Sequence, residues 1–231
     1  MISLANLDHK VGRGTVANVL KANGAAPAPE PAREKHIRGS TFLKAHWKAF
    51  ASSDLFSVEV WTPRGSITCH VLFVIGSEDR VVHVARISNR PAESWMLQIG
   101  RHLLDADDGV LAGYLIVDRD KKYSKRFRDF IAARGTEVIG LPPLSPNLNA
   151  CAERFVRSIN EKCVTKMIFI GQGSLRRALT ENMTHFHEER NHQGRQNRLI
   201  RERPAVAANE ASIHRRTRLG GMLSYYHRIA A

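Results

Sequence analysis

Cysteine, acid and long apolar runs are what this sequence is short of. Three cysteines among 231 residues (Cys69, Cys151, Cys163) are odd in number and form no Cys-x-x-Cys pair. That argues against a disulfide framework and a zinc knuckle, and points to a reducing, cytoplasmic setting. No apolar stretch approaches the roughly 20 residues that cross a bilayer. The densest, Val71 to Ile75, is strand-sized. The N-terminus lacks the apolar core of a signal peptide. Acid is in deficit: 22 Asp+Glu stand against 35 Lys+Arg, a net charge of +13 and a pI of about 10.2. Such a balance fits a polyanionic partner, or simply a basic, solvated surface.

What is present is a soluble, globular composition, 43% hydrophobic and 25% charged, long enough for one substantial core and a small appendage. Residues 1–24 read as a fragment of a helix-turn-helix. A turn at Gly12-Arg13-Gly14 precedes a helix capped by Thr15, with Val16, Val19 and Leu20 in helical spacing and Gly24 at its end. Arg13 then lies on the DNA-facing side; an ordinary packed helix fits the same pattern. Residues 25–45 form a Pro/Ala-rich basic linker. The main domain spans 46–200, and a basic, aromatic tail suited to phosphate contact, or to disorder, covers 201–231.

Within the main domain, Phe56, Val58 and Val60 alternate with Ser57 and Glu59, as in a half-buried strand. Strands over 67–75 and 81–87 follow, making an antiparallel meander. A helix opened by Pro91 leads to a buried strand over 113–118, then a helix around Phe127 and Ile131 closed near Gly135. A fifth strand over 136–141, a long helix bearing Ala152, Phe155 and Ile159, and a helix over 173–189 complete the pattern. Strands alternating with helices after a meander predict a mixed five-stranded α/β sheet flanked by helices.

Three acids stand where chemistry is commonly placed. Asp118 ends an apolar strand, Asp54 opens the first strand, and Glu153 lies at the start of the long helix. If the strands of Asp54 and Asp118 are antiparallel neighbours, both acids reach one rim. Carboxylates packed together repel unless a cation compensates. Oxygen-only donors suit Mg²⁺ or Mn²⁺, and two such ions support in-line phosphoryl transfer. Each acid has a plainer alternative: a solvated strand end for the aspartates, and an ion pair with Arg157 for Glu153. Asp120 rivals Asp118, and Asp105, Asp107 and Asp108 fit a solvated turn. Asn149 fits a helix cap or a DNA contact. Arg154, Arg157 and Lys162 fit phosphate contacts or a solvated face. His185, His187 and His192 have no carboxylate or cysteine arranged for zinc.

Together, Asp54-Leu-Phe, Val117-Asp-Arg-Asp-Lys-Lys-Tyr123, Leu144 to Arg157 and His185 to His192 resemble the integrase core of bacterial insertion-sequence transposases, in the DDE superfamily with retroviral integrases. The resemblance covers roughly residues 40 to 200. It implies a ribonuclease H-like fold and two metal ions per site, with Asp54 bridging both and Asp118 and Glu153 each completing one. It implies DNA cleavage by water, then attack of the freed 3′-hydroxyl on target DNA, by a homo-oligomer on DNA associated with the nucleoid. Cys151 departs from the aromatic residue common there, and Asp120 from the glycine of retroviral relatives. A truncated remnant that only binds DNA, and a nuclease that only hydrolyses, are the alternatives.

Overall fold

The computed structural model describes residues 13–24, 49–105, 111, 113–141, 149–201 and 211–230. The expected linker, most of the turn before the first helix, Asp107 and Asp108, and the Leu144–Leu148 stretch lie outside them, while Asp105, expected in a turn, ends a helix. The elements are α1 (Arg13–Ala22), β1 (Phe50–Thr62), β2 (Gly65–Gly76), β3 (Val82–Ser88), α2 (Glu93–Asp105), β4 (Tyr114–Val117), α3 (Lys125–Ala132), β5 (Glu137–Gly140), α4 (Ala150–Lys162), β6 (Phe169–Ile170), α5 (Gly171–Glu188), β7 (Ala211–Arg218) and β8 (Leu223–Ala230).

The main sheet runs β3-β2-β1-β4-β5. β1–β2 and β2–β3 are antiparallel; β1–β4 and β4–β5 are parallel. An antiparallel meander joined to two parallel strands, with helices on both faces, is the ribonuclease H-like arrangement. β2 is central because its apolar run serves both faces. Val71, Phe73 and Ile75 enter one core with Phe155 and Ile159 of α4 and Leu175 and Leu179 of α5. Leu72 and Val74 enter the other with Met96 and Ile99 of α2 and Phe127 and Ile131 of α3. Side chains alternate across a strand, so one uninterrupted apolar run fills two layers.

Sequence and structure part in several places. α1 starts at Arg13, so Thr15 lies inside the helix rather than capping it, while Gly24, at φ +72°, does stand just past its end. Pro91 stands two residues ahead of α2. Gly113 leads into β4 at φ +88°, where a Cβ would sit 2.7 Å from that of Ala49, so the close approach of the chain there needs glycine. A sixth strand, the two-residue β6, pairs in parallel with β1 at Val60 and Trp61. β4 pairs with that same side of β1 only from Phe50 to Ser53. Among the described residues no strand pairs with this edge from Asp54 to Glu59.

Residues 211–230 form a β-hairpin, β7 against β8. Leu219 and Leu223 belong to the α4/α5-side core. The decisive residue is Glu189, at the end of α5. Its side chain is fully buried and takes two hydrogen bonds from the Arg218 guanidinium, at 2.9 and 2.7 Å. His185 lies 3.3 Å away on the other side. Glu181 accepts the Leu219 N–H at 3.0 Å. A lone hairpin is marginal in water; these contacts hold it against α5.

Candidate active site

Asp54 is the fifth residue of β1, not its first. It shares a face with Phe56, Val58 and Val60 by strand alternation, the face covered by α4. β1 and β4 are parallel, not antiparallel, and their register sets Ser53 beside Val117. The next residue on each strand is an acid. Asp54 and Asp118 are therefore adjacent on the same face, on strands about 4.8 Å apart. Parallel pairing brings them together more directly than the antiparallel arrangement expected from sequence. Glu153 arrives in the first turn of α4, whose Ala152 and Phe155 are buried on that face.

The electrostatics register this convergence. The Asp54 carboxyl is pushed up to about 6, first by burial, then by the negative charges of Asp118, Glu153 and Asp120, against one hydrogen bond from the Leu55 N–H. Asp120 behaves oppositely. Burial raises it, but two hydrogen bonds from Lys122, at 2.9 and 2.7 Å, and that residue's charge outweigh burial and hold it below the ordinary carboxylate value. Lys122 thus neutralises Asp120. Asp118 accepts only the Asp120 backbone N–H, at 2.9 Å, among the described residues. This separates the two rivals: Asp120 is a paired structural acid and Asp118 is available.

Glu153 is exposed, and among the described residues no ion pair joins it to Arg157. Arg154 and Arg157 are also exposed. Lys162 is half-buried at the far end of α4, about 13 Å along the axis from Glu153. Burial and the Arg190 charge lower its pKa. It is not brought to the acids. Asn149 holds the N-cap position without a capping hydrogen bond, because its ψ of 17° departs from the extended backbone a side-chain cap uses. It is 3% exposed, which takes it off the DNA-accessible surface as well. The Arg13 side chain lies outside what is described.

Among the described residues no three His, Cys, Asp or Glu side chains close round a single ion. The acids present fit a different scheme, in which each Mg²⁺ takes one or two carboxylates and leaves its other positions to water and phosphate. A half-buried aspartate whose carboxyl is raised by desolvation and by neighbouring acids is the arrangement a cation relieves.

Sequence reasoning missed the support behind Asp54. Ser53, 1% exposed, donates to the Phe73 carbonyl at 3.1 Å and so receives the Tyr123 hydroxyl at 2.9 Å. This ties the loop after Asp118 to the strand of Asp54. A tyrosine six residues past the end of β4 was the only signal. The three histidines are structural. His187 accepts the Val82 N–H at 2.9 Å, His192 meets the Phe186 carbonyl at 2.8 Å, and His185 faces Glu189. Cys151 is buried and receives Arg80 Nη1 at 2.9 Å.

No family model matches the sequence, and no curated protein matches it. Solved structures do. The catalytic core domain of BIV integrase (crystal form I) is 12% identical over 61% of this chain and 84% of that one, with a TM-score of 0.44. A chain of the simian T-cell lymphotropic virus intasome in complex with the PP2A regulatory subunit B56 gamma is 13% identical over 78% of this chain and 66% of that one, with a TM-score of 0.40.

Proposed function

We propose that this chain is a metal-dependent polynucleotidyl transferase that cleaves DNA and joins the freed end to a target, as an integrase-core transposase does. The carrying observation is Asp54, half-buried in β1 beside Asp118 and Glu153 and raised to about 6. The chain holds at its sheet centre a carboxylate that is unfavourable by itself.

Asp54 and Asp118 would hold one Mg²⁺ or Mn²⁺ ion, and Asp54 and Glu153 would hold the other. When bound, the two ions supply activation of the attacking oxygen and stabilisation of the leaving one. The chain's own part is orientation. Ser53 and Tyr123 fix the strand and loop that carry the aspartates, Lys122 removes Asp120 from competition, and α4 presents Glu153. Arg154 and Arg157, exposed beside Glu153, contact DNA phosphates. Two ends must be held for joining, so the working form is a homo-oligomer on DNA.

The test is nicking and joining of DNA with Mg²⁺ or Mn²⁺. Nicked and joined products from the wild type, both lost in Asp118→Ala with its fold intact, are the expected result. Nicks without joining would mean a nuclease. The net charge of +13, which by itself accounts for binding a polyanion, favours a second reading, a DNA-binding protein without catalysis. Neither product from folded protein would establish it.

A further inference from the structure

We infer that the C-terminal hairpin is a second DNA-contact element, using Arg215 and Arg216 of β7 on duplex phosphates; this rests on the reading of the molecule as acting on DNA. Residues 211–230 contain four arginines, two histidines and no acid. Register sorts them into faces. Arg218, Arg216 and His214 share one face with Leu223, Tyr225 and His227, and Thr217, Arg215 and Ile213 share the other with Ser224, Tyr226 and Arg228. The first face packs inward: Leu223 and Tyr225 are buried, and Arg218 is bound to Glu189. The second turns outward, with Ile213 51% exposed.

β8 is the inner strand. On β7, Ser212 to Thr217 are all exposed. Arg218 uses both Glu189 oxygens, so Arg216 reaches that carboxylate only at 3.7 Å and its side chain stays 43% exposed. Arg215 has no acid within ion-pair distance among the described residues. Its guanidinium instead lies across the ribbon on the Ser224 hydroxyl, at 3.0 and 3.3 Å. That bond orients the group without neutralising it. Tyr226 stands directly opposite Arg215. A two-stranded ribbon fits the major groove of duplex DNA, about 12 Å wide. Arg215, left without an acid, and Arg216, still 43% exposed beside its shared carboxylate, match phosphate geometry on such a ribbon.

The competing account is that the arginines only guard an exposed strand edge against pairing with another copy. The two accounts predict different losses. Binding of a fluorescent 30-base-pair duplex is measured by anisotropy in EDTA, from 50 to 300 mM salt, for wild type, Arg215→Ala, Arg215→Ala/Arg216→Ala and Arg215→Lys/Arg216→Lys. Light scattering reports the mass of each. The inference expects each arginine removed to take about one unit from the slope of log affinity against log salt, the lysine pair to restore it, and the mass to stay unchanged. An unaltered slope with a larger particle overturns the inference in favour of edge protection; an unaltered slope and mass overturns it outright. If the double variant melts early, Arg215→Ala alone, which leaves Glu189 untouched, decides. A wild type that binds no duplex overturns the DNA reading itself, while intact nicking beside an unaltered slope overturns only the role of the hairpin.

Discussion

At the scale of the residue, Asp54 carries the most consequence. Its carboxyl releases a proton near 3.8 in the unfolded chain and near 6 in the fold. The fold therefore binds the extra proton between those values, and stability falls as pH rises from about 4 to about 6 and stays lower above. Two pH units correspond to at most about 3 kcal/mol. Asp54→Asn should raise the metal-free melting temperature at pH 7.5, with the gain vanishing below pH 4. Mg²⁺ should stabilise the wild type and not the variant. A melting series across pH with and without metal checks both. His187 and His192 act with the opposite sign. Burial lowers each first, to about 4 from 6.5, so the unfolded chain takes up protons first as pH falls. Their contribution is complete above 6.5 and is lost towards 4. In Asp54→Asn the offsetting carboxyl is gone, so its acid-side loss of stability should be steeper than the wild type's, as denaturant titrations at pH 7 and 5 would record.

At the scale of the element, the hairpin depends on one carboxylate. Replacing Glu189 by Gln leaves Arg218 half-buried beside a neutral group. Removing one partner of a buried pair typically costs about 3 kcal/mol. Glu189→Gln should lower stability by that order and expose Leu223 and Tyr225 to hydrogen exchange before the main sheet opens. Loss of stability without earlier exchange in β8 would count against this docking. Tyr123→Phe is milder. Ser53 keeps its bond to Phe73, so only about 1 kcal/mol is at stake, but the loop bearing Asp118 loosens and metal affinity should weaken, as titration calorimetry would detect. Elements of this kind divide by legibility. β1, β2 and α3 were readable because alternation and helical spacing are local signals. The hairpin was not, because its strands are rich in arginine and are held by Glu189, some thirty positions upstream. Strand direction was equally hidden. Nothing in Asp54-Leu-Phe or Tyr114 to Asp118 says whether β1 and β4 run together or opposed, and the register that pairs the two acids comes from the crossover helix α2. The end of the apolar strand already favours Asp118 over Asp120 in the sequence; the Lys122 pair that occupies Asp120 is a second distinction, visible only in the fold.

At the scale of the whole molecule, a net charge of +13 predicts association with duplex DNA that weakens steeply between 50 and 200 mM salt. A salt-independent affinity would contradict a phosphate-led mode of binding. The charge is not confined to one element: Arg154 and Arg157 flank the acids on α4, and Arg215 and Arg216 lie on the hairpin. The edge of β1 that has no partner strand among the described residues bears on the chain's behaviour in a crowded solution. An open strand edge ordinarily recruits further strands and seeds amyloid-like growth. Here the bare segment from Asp54 to Glu59 is only about 20 Å long and is stopped at one end by β4 and at the other by β6. A foreign strand would have to thread a slot closed at both ends. The acids can thus sit beside bare backbone without making the protein a template for fibrils.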